Sequence, residues 1–240
     1  MRENLHDLIS AISWFEDLSE KTVTTLSRGA RVQRFPAGII LFSKGDVPDF
    51  CYVALEGRIE LFVTDDEGDD VLVDMSGAPS AYTMPAVLMG VPYIVSGKTS
   101  SRSKLLMIDA KALRQSARED PKLALSLIGL VCWQFRAMVR QVVNLKSKST
   151  SERLGCYLLA LTNGSCGARK LDLPLDGKHL AAQLGMTTMS LSRAFKILAS
   201  HGVTKRGPNV SIANPDRLRA YCRPDDLIHE HERELKFPAD

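Results

Sequence analysis

The sequence predicts an α+β chain: a small β-rich module, then a long helix, then a smaller and mostly helical module. Three observations predict it. Short β-branched or alternating runs fill residues 31–109, separated by Gly, Pro and Asp. Ile128, Val131, Phe135, Met138, Val142 and Leu145 step alternately by three and four residues, a heptad seam. Between Leu175 and Gly202, two short apolar-faced patterns flank Gly185.

Taken in order, residues 1–29 hold two helical patterns. Leu5, Leu8, Ile9 and Ile12 mark the first; the second follows Ser19, an N-cap residue type, with Leu26 on its buried face. Strand runs follow at Ala30–Phe35, Ile39–Phe42, Cys51–Glu56, Arg58–Thr64, Asp70–Met75 and Leu105–Ile108. The acidic stretch Asp65-Asp66-Glu67-Gly68-Asp69 reads as a hairpin loop, and Gly45-Asp46 and Gly57 as further turns. Short strands at this spacing argue for a small all-β sandwich or barrel.

Asp120-Pro121 then opens a long helix, with Asp at the cap and Pro at the first helical position. Besides the seam it carries a second apolar stripe, Leu123, Leu127 and Leu130. A helix with two apolar faces can pack on its own domain with one and on a second chain with the other. Burial of both faces within one domain would satisfy the same pattern. Lys146–Ser151 is small, polar and charged, as a hinge would be; Glu152–Leu161 forms one more helix, ended at Asn163-Gly164-Ser165.

Leu180, Ala181 and Leu184 then line one face of a short helix that Gly185 breaks, since Gly adopts a positive φ without steric cost. Thr187 can cap a second helix whose buried face repeats at Leu191, Phe195 and Leu198. Its outer face carries Thr188, Ser190, Ser192, Arg193 and Lys196. This is the layout of a helix-turn-helix, whose second helix enters the DNA major groove; a plain αα-hairpin with a solvated face shares it. Val203–Arg206 and Val210–Ile212 around Gly207-Pro208-Asn209 read as a wing with Lys205 and Arg206 at its edge. The tail after Pro224 is charged.

Charge supports the nucleic-acid reading. The chain of 240 residues has a net charge of +3, but residues 146–223 hold 13 Lys/Arg against 4 Asp/Glu. That segment is therefore at +9 and the remainder at −6, the asymmetry of a nucleic-acid-binding module beside a non-binding one. The five cysteines, Cys51, Cys132, Cys156, Cys166 and Cys222, are scattered without CxxC spacing, so neither a metal site nor an iron–sulfur cluster is expected. No secretion leader is recognisable and no uninterrupted apolar run reaches about 18 residues, which predicts a cytoplasmic setting without a membrane.

This order resembles the CRP/FNR family of bacterial transcription regulators over roughly residues 5–222. The pieces that carry it are Gly45-Asp46, Tyr52-Val53-Ala54-Leu55-Glu56-Gly57, Asp120-Pro121, Glu152-Arg153-Leu154, and Leu184-Gly185-Met186-Thr187 with Leu191-Ser192-Arg193. The resemblance implies an effector-sensing, cyclic-nucleotide-binding-like β-roll over 1–119, a dimerisation helix over 120–146, a winged helix-turn-helix over 147–224 and a tail over 225–240. It also implies a homodimer on a pseudo-palindromic operator, with RNA polymerase as a partner if the protein activates. Residues at Thr188, Met189, Ser192 and Arg193 meet DNA in that family, with Thr187 and Ser190 beside them. Arg193 suits guanine O6/N7 or a phosphate; Lys178, Lys196, Lys205 and Arg206 suit phosphates. Met189 departs from the family's usual Glu, which removes an acceptor for cytosine N4 and favours apolar contact such as a thymine methyl.

Cyclic-AMP binders of the family carry a Gly-Glu, an Arg-Ser and a Thr-Ser. Here Tyr82 falls at the Glu, Tyr93-Ile94 near the Arg-Ser and Met138-Val139 at the Thr-Ser, so cyclic AMP is not expected. Two effector readings remain. The preferred one is a small aromatic or organic acid, with Tyr82, Met84, Tyr93, Trp133 and Phe135 lining an apolar pocket and Lys98, Arg102 or Arg136 pairing a carboxylate. The other is haem, as in nitric-oxide-responsive regulators of the DNR/NnrR type. It is poorly provided with axial ligands: His6 is the only histidine before His179, and Cys51 and Cys132 are isolated thiols. An enzyme's regulatory module is the remaining class, but no Gly-rich phosphate loop, metal cluster or nucleophile–base pair is present, so no catalytic residue is expected.

Overall fold

The structure, a computed structural model, describes residues 4–162, 169–173 and 175–229. They fall into two compact units that divide between Gln134 and Phe135.

The first unit opens with α1 (Leu5–Ser10) and α2 (Glu20–Arg28), whose N-cap Ser19 accepts from Thr22 N. Strands β1 (Ala30–Phe35), β2 (Ile40–Phe42), β3 (Phe50–Glu56), β4 (Arg58–Thr64) and β5 (Asp70–Gly77) follow the sequence reading within a few residues. The chain then adds β6 (Ser80–Ala81), α3 (Met84–Met89), β7 (Ser96–Thr99), β8 (Ser103–Asp109) and α4 (Ala110–Glu119). The strands make two antiparallel four-stranded sheets, ordered β1-β8-β3-β6 and β2-β7-β4-β5.

The first sheet is covered on both faces, which explains the nearly continuous apolar runs of β3 and β8. Side chains alternate across a strand. Cys51, Val53, Leu106 and Ile108 therefore join a core with Ile9, Phe15, Leu26 and Leu113 from the helices. Their neighbours Tyr52, Ala54, Leu105 and Met107 join a second core with Phe42, Ile59, Tyr82 and Tyr93. Gly57 links β3 to β4 at φ +86, where a Cβ would also collide with Arg102 and Ser103.

Helix α5 (Pro121–Ser147) starts in this unit. Asp120 accepts from Lys122 N at 2.9 Å and from the Thr22 hydroxyl at 2.5 Å, and the latter bond holds its carboxyl below the usual range. Leu123, Leu127 and Leu130 are the buried stripe, as expected. The seam residues Ile128, Phe135, Met138, Val142 and Leu145 are exposed, Phe135 at 67%. Val131 departs from them: it is half-buried and packs on the core. Leu125, Val139 and Val143 widen the exposed apolar face. By length and composition alone α5 would also cross a bilayer. Its apolar residues, however, resolve into two stripes, the pattern of a helix packed on two sides.

The second unit holds the last turns of α5, α6 (Thr150–Leu161), β9 (Arg169–Asp172), α7 (Gly177–Gln183), α8 (Thr188–Ala199), β10 (Val203–Arg206), β11 (Asn209–Ile212), α9 (Pro215–Cys222) and α10 (Asp226–His229). Within the expected hinge segment Lys146–Ser151, α5 ends at Ser147, Lys148 and Ser149 are non-helical, and Ser149 caps α6 with Glu152 in a capping box. The expected helix end at Asn163-Gly164-Ser165, Cys166 and most of the charged tail lie outside the described residues. Leu154, Leu158, Leu180, Leu191, Leu198, Val210, Ile212 and Leu218 form the core of this unit.

Replacing Leu127, which is 1% exposed, by Ala removes a side chain from the middle of the buried stripe. Denaturant unfolding of the variant is expected to show a loss of about 2–5 kcal/mol.

Candidate nucleic-acid interface

Asp176 caps α7 by accepting from His179 N, which is the largest cause of its carboxyl lying below the usual range; its other oxygen is 2.7 Å from His179 Nδ1. After α7 the chain turns at Gly185, φ +61, where any L side chain would be strained and a Cβ would collide with Leu145 Cδ2. Thr187 then caps α8: its Oγ1 accepts from Ser190 N at 3.1 Å and donates to Ser190 Oγ at 3.0 Å.

Burial of Leu191, Ala194 and Leu198 decides which face α8 turns outward. Ala194 takes a core place that the sequence reading had given to Phe195, which is half-buried instead. Thr188, Met189, Ser192, Arg193 and Lys196 are exposed, Met189 at 68%. Thr187 is exposed beside them, and Ser190 is half-buried. Strands β10 and β11 form the wing, with Lys205 and Arg206 exposed at the turn. Lys205 Nζ stands 5.0 Å from the centroid of the Phe195 ring.

These pieces meet. A cavity of about 270 Å³ is lined by Gly177, Lys178, Thr188, Leu191, Ser192, Phe195 and Lys205. Residues from three elements thus share one concavity carrying two ammonium groups and two hydroxyls, a surface suited to phosphate oxygens. The sequence reading missed β9, which pairs with β11 as the third strand of the wing sheet and presents exposed Lys170. Its signal was the alternation of Lys170, Leu171, Asp172 and Leu173.

The proposed effector residues are less gathered. Tyr82 and Tyr93 share one buried core, while Met84 belongs to the other. The tyrosine hydroxyls donate to backbone carbonyls, Tyr82 to Ser76 O at 2.6 Å and Tyr93 to Phe50 O at 3.3 Å. Lys98 is held by Asp70 at 2.7 Å and Glu60 at 3.6 Å and lies over the Phe62 ring. Arg102 is exposed, as are Phe135 and Arg136 in the second unit. Trp133 is half-buried, and its Nε1 is buried without a hydrogen-bond partner among the described residues.

Comparison with known proteins gives two family matches. Residues 32–120 match the cyclic nucleotide-binding domain and residues 152–221 the Crp-like helix-turn-helix domain. A CRP-like cAMP-activated global transcriptional regulator of Mycobacterium tuberculosis is 19% identical over 91% of this chain and 100% of its own length. The nitrogen fixation regulation protein FixK of Rhizobium meliloti is 22% identical over 80% of this chain and 87% of its own. Among solved structures, a CooA variant from Carboxydothermus hydrogenoformans has the same fold. Its TM-score is 0.69 at 15% identity, covering 92% of this chain and 97% of that one.

Thr187→Ala removes the cap of α8 without touching the core. Thermal unfolding followed by circular dichroism is expected to show a loss of about 1 kcal/mol.

Proposed function

Since the chain belongs to the CRP/FNR family of DNA-binding transcription regulators, we propose that it acts in the cytoplasm as a homodimer on a pseudo-palindromic operator and takes a small aromatic or organic acid as effector. The observation that carries the dimer is the exposed apolar stripe of α5, distinct from the stripe its own core covers. Five large apolar side chains at heptad spacing, widened by Leu125, Val139 and Val143, bury well against a like surface. Pairing two copies presents two α8 helices, which reach successive major grooves when about 34 Å apart.

On each half-site Arg193 supplies the planar fork for guanine or a phosphate. Ser192, Thr188 and Thr187 supply short hydroxyls, and Ser190 keeps the cap in place. Exposed Met189 offers an apolar contact in place of a carboxylate acceptor. Lys178, Lys196, Lys205 and Arg206 neutralise phosphates and carry no sequence information.

The effector reading rests on Trp133. A buried indole N–H without a partner is worth about 1–3 kcal/mol to whatever supplies an acceptor. A carboxylate or phenolate would supply that acceptor. A cyclic nucleotide fits less well. Its phosphate needs a free buried cation, whereas half-buried Lys98 is already held by two carboxylates and buried Lys104 lies 3.8 Å from Glu56. The mycobacterial relative's cAMP is thus not carried over. Haem fits poorly too: Cys51 is wholly buried in the packed core, and His6 lies beside Glu20.

Two measurements test these parts. On a duplex recovered by selection, Arg193→Ala is expected to weaken binding by about 1–3 kcal/mol, and Lys205→Ala to lower the salt slope by about one. Unaltered affinity and slope would overturn the assigned face. Titration with benzoate-class acids should quench Trp133 fluorescence in the wild type and not in Trp133→Phe. A fixed-stoichiometry Soret band after haem addition, without such quenching, would replace the acid by haem.

A further inference from the structure

Arg153, in the Glu152-Arg153-Leu154 run, has no part in the DNA contacts or the effector reading above. It sits in the first turn of α6. Its guanidinium spans two separate segments: Nε donates to Leu184 O at 2.9 Å, Nη2 to Gly185 O at 3.1 Å, and Nη1 to Lys148 O at 3.0 Å. Leu184 and Gly185 close α7, and Lys148 follows the last residue of α5. Carbonyls at a helix C-terminus have no intrahelical donor and lie at the negative end of the helix dipole. One planar cation therefore satisfies two helix ends at once.

Other contacts tie the same segments. The Leu145 side chain of α5 lies directly against Gly185. Lys148 Nζ donates to Cys222 O at 2.9 Å and Arg223 O at 2.8 Å, closing α9, and Asn144 Oδ1 is 2.7 Å from His229 Nε2. Gly185 stands two residues before Thr187, the cap of α8. The path from the end of α5 to the recognition helix thus runs through the guanidinium.

We infer that Arg153 is a positioning residue that fixes the angle between the end of α5 and α8, and so sets the half-site spacing the protein accepts. This rests on the dimeric reading above. Lysine cannot replace the fork, because a single ammonium presents no planar set of donors to carbonyls from two segments. Loosening the fork leaves every DNA-facing side chain in place and frees only the angle at which α8 is presented.

The test is selection by the full chain from a duplex library of palindromes with randomised half-sites and spacers of about four to eight base pairs. The wild type is expected to recover one half-site with one spacer. Arg153→Lys and Arg153→Gln are expected to recover the same half-site over several spacers, with affinity for the wild-type spacer down by about tenfold, the worth of one charge-assisted hydrogen bond. A merely structural arginine would lower affinity for all spacers equally, in step with melting temperature. That outcome, an unchanged single spacer, or loss of fold in both variants would overturn the inference. Failure of the wild type to recover any palindrome would instead count against the dimeric reading.

Discussion

A helix that is apolar on two sides and buried on only one constrains everything else in this protein. Leu123, Leu127 and Leu130 are nearly inaccessible, and their stripe is the floor on which α1, α2, α4 and the first sheet close. The other stripe, from Leu125 and Ile128 to Val142 and Leu145, is left to water in one chain. At roughly 25 cal/mol per Å² of apolar surface, covering such a stripe from both sides contributes several kcal/mol. On the proposed reading, the surface that would pair two chains lies on the same helix that completes the core of the first unit.

The DNA-facing unit shows how little sequence such a surface needs. Leu191, Ala194 and Leu198 determine which way α8 turns, and the cap at Thr187 determines where it starts. The residues left outside are then short hydroxyls, one arginine and an exposed methionine. The surrounding lysines come from α7, α8 and the wing, so the proposed phosphate contacts are spread over three elements while the proposed base contacts stay on one. Met189 is exposed and lies outside the packed face that holds the helix.

Periodic features were legible in advance: the heptad seam, the Gly185 turn, the Thr187 cap and eight of the strands. What escaped has physical causes. Strand β7 is Ser-Gly-Lys-Thr, without strand propensity; Gly97 lies under the Phe42 ring, so packing rather than composition makes it a strand. The segment Lys146–Ser151 was read from its polarity alone, which did not show that Ser149 and Glu152 form the capping box that starts α6. Lys98 looked available because its partners Glu60 and Asp70 sit on β4 and β5, remote in sequence and adjacent only once the sheet forms. The bonds of Arg153 are equally non-local, although the motif containing it was noticed.

The most direct test of the central claim is sedimentation equilibrium of the full chain beside Phe135→Lys, which places a charge in the middle of the exposed stripe. The account predicts twice the chain mass for the wild type. For the variant it predicts a single-chain mass with unchanged far-ultraviolet circular dichroism. A variant that stays dimeric at micromolar concentration, or a wild type that sediments as a single chain, would contradict it.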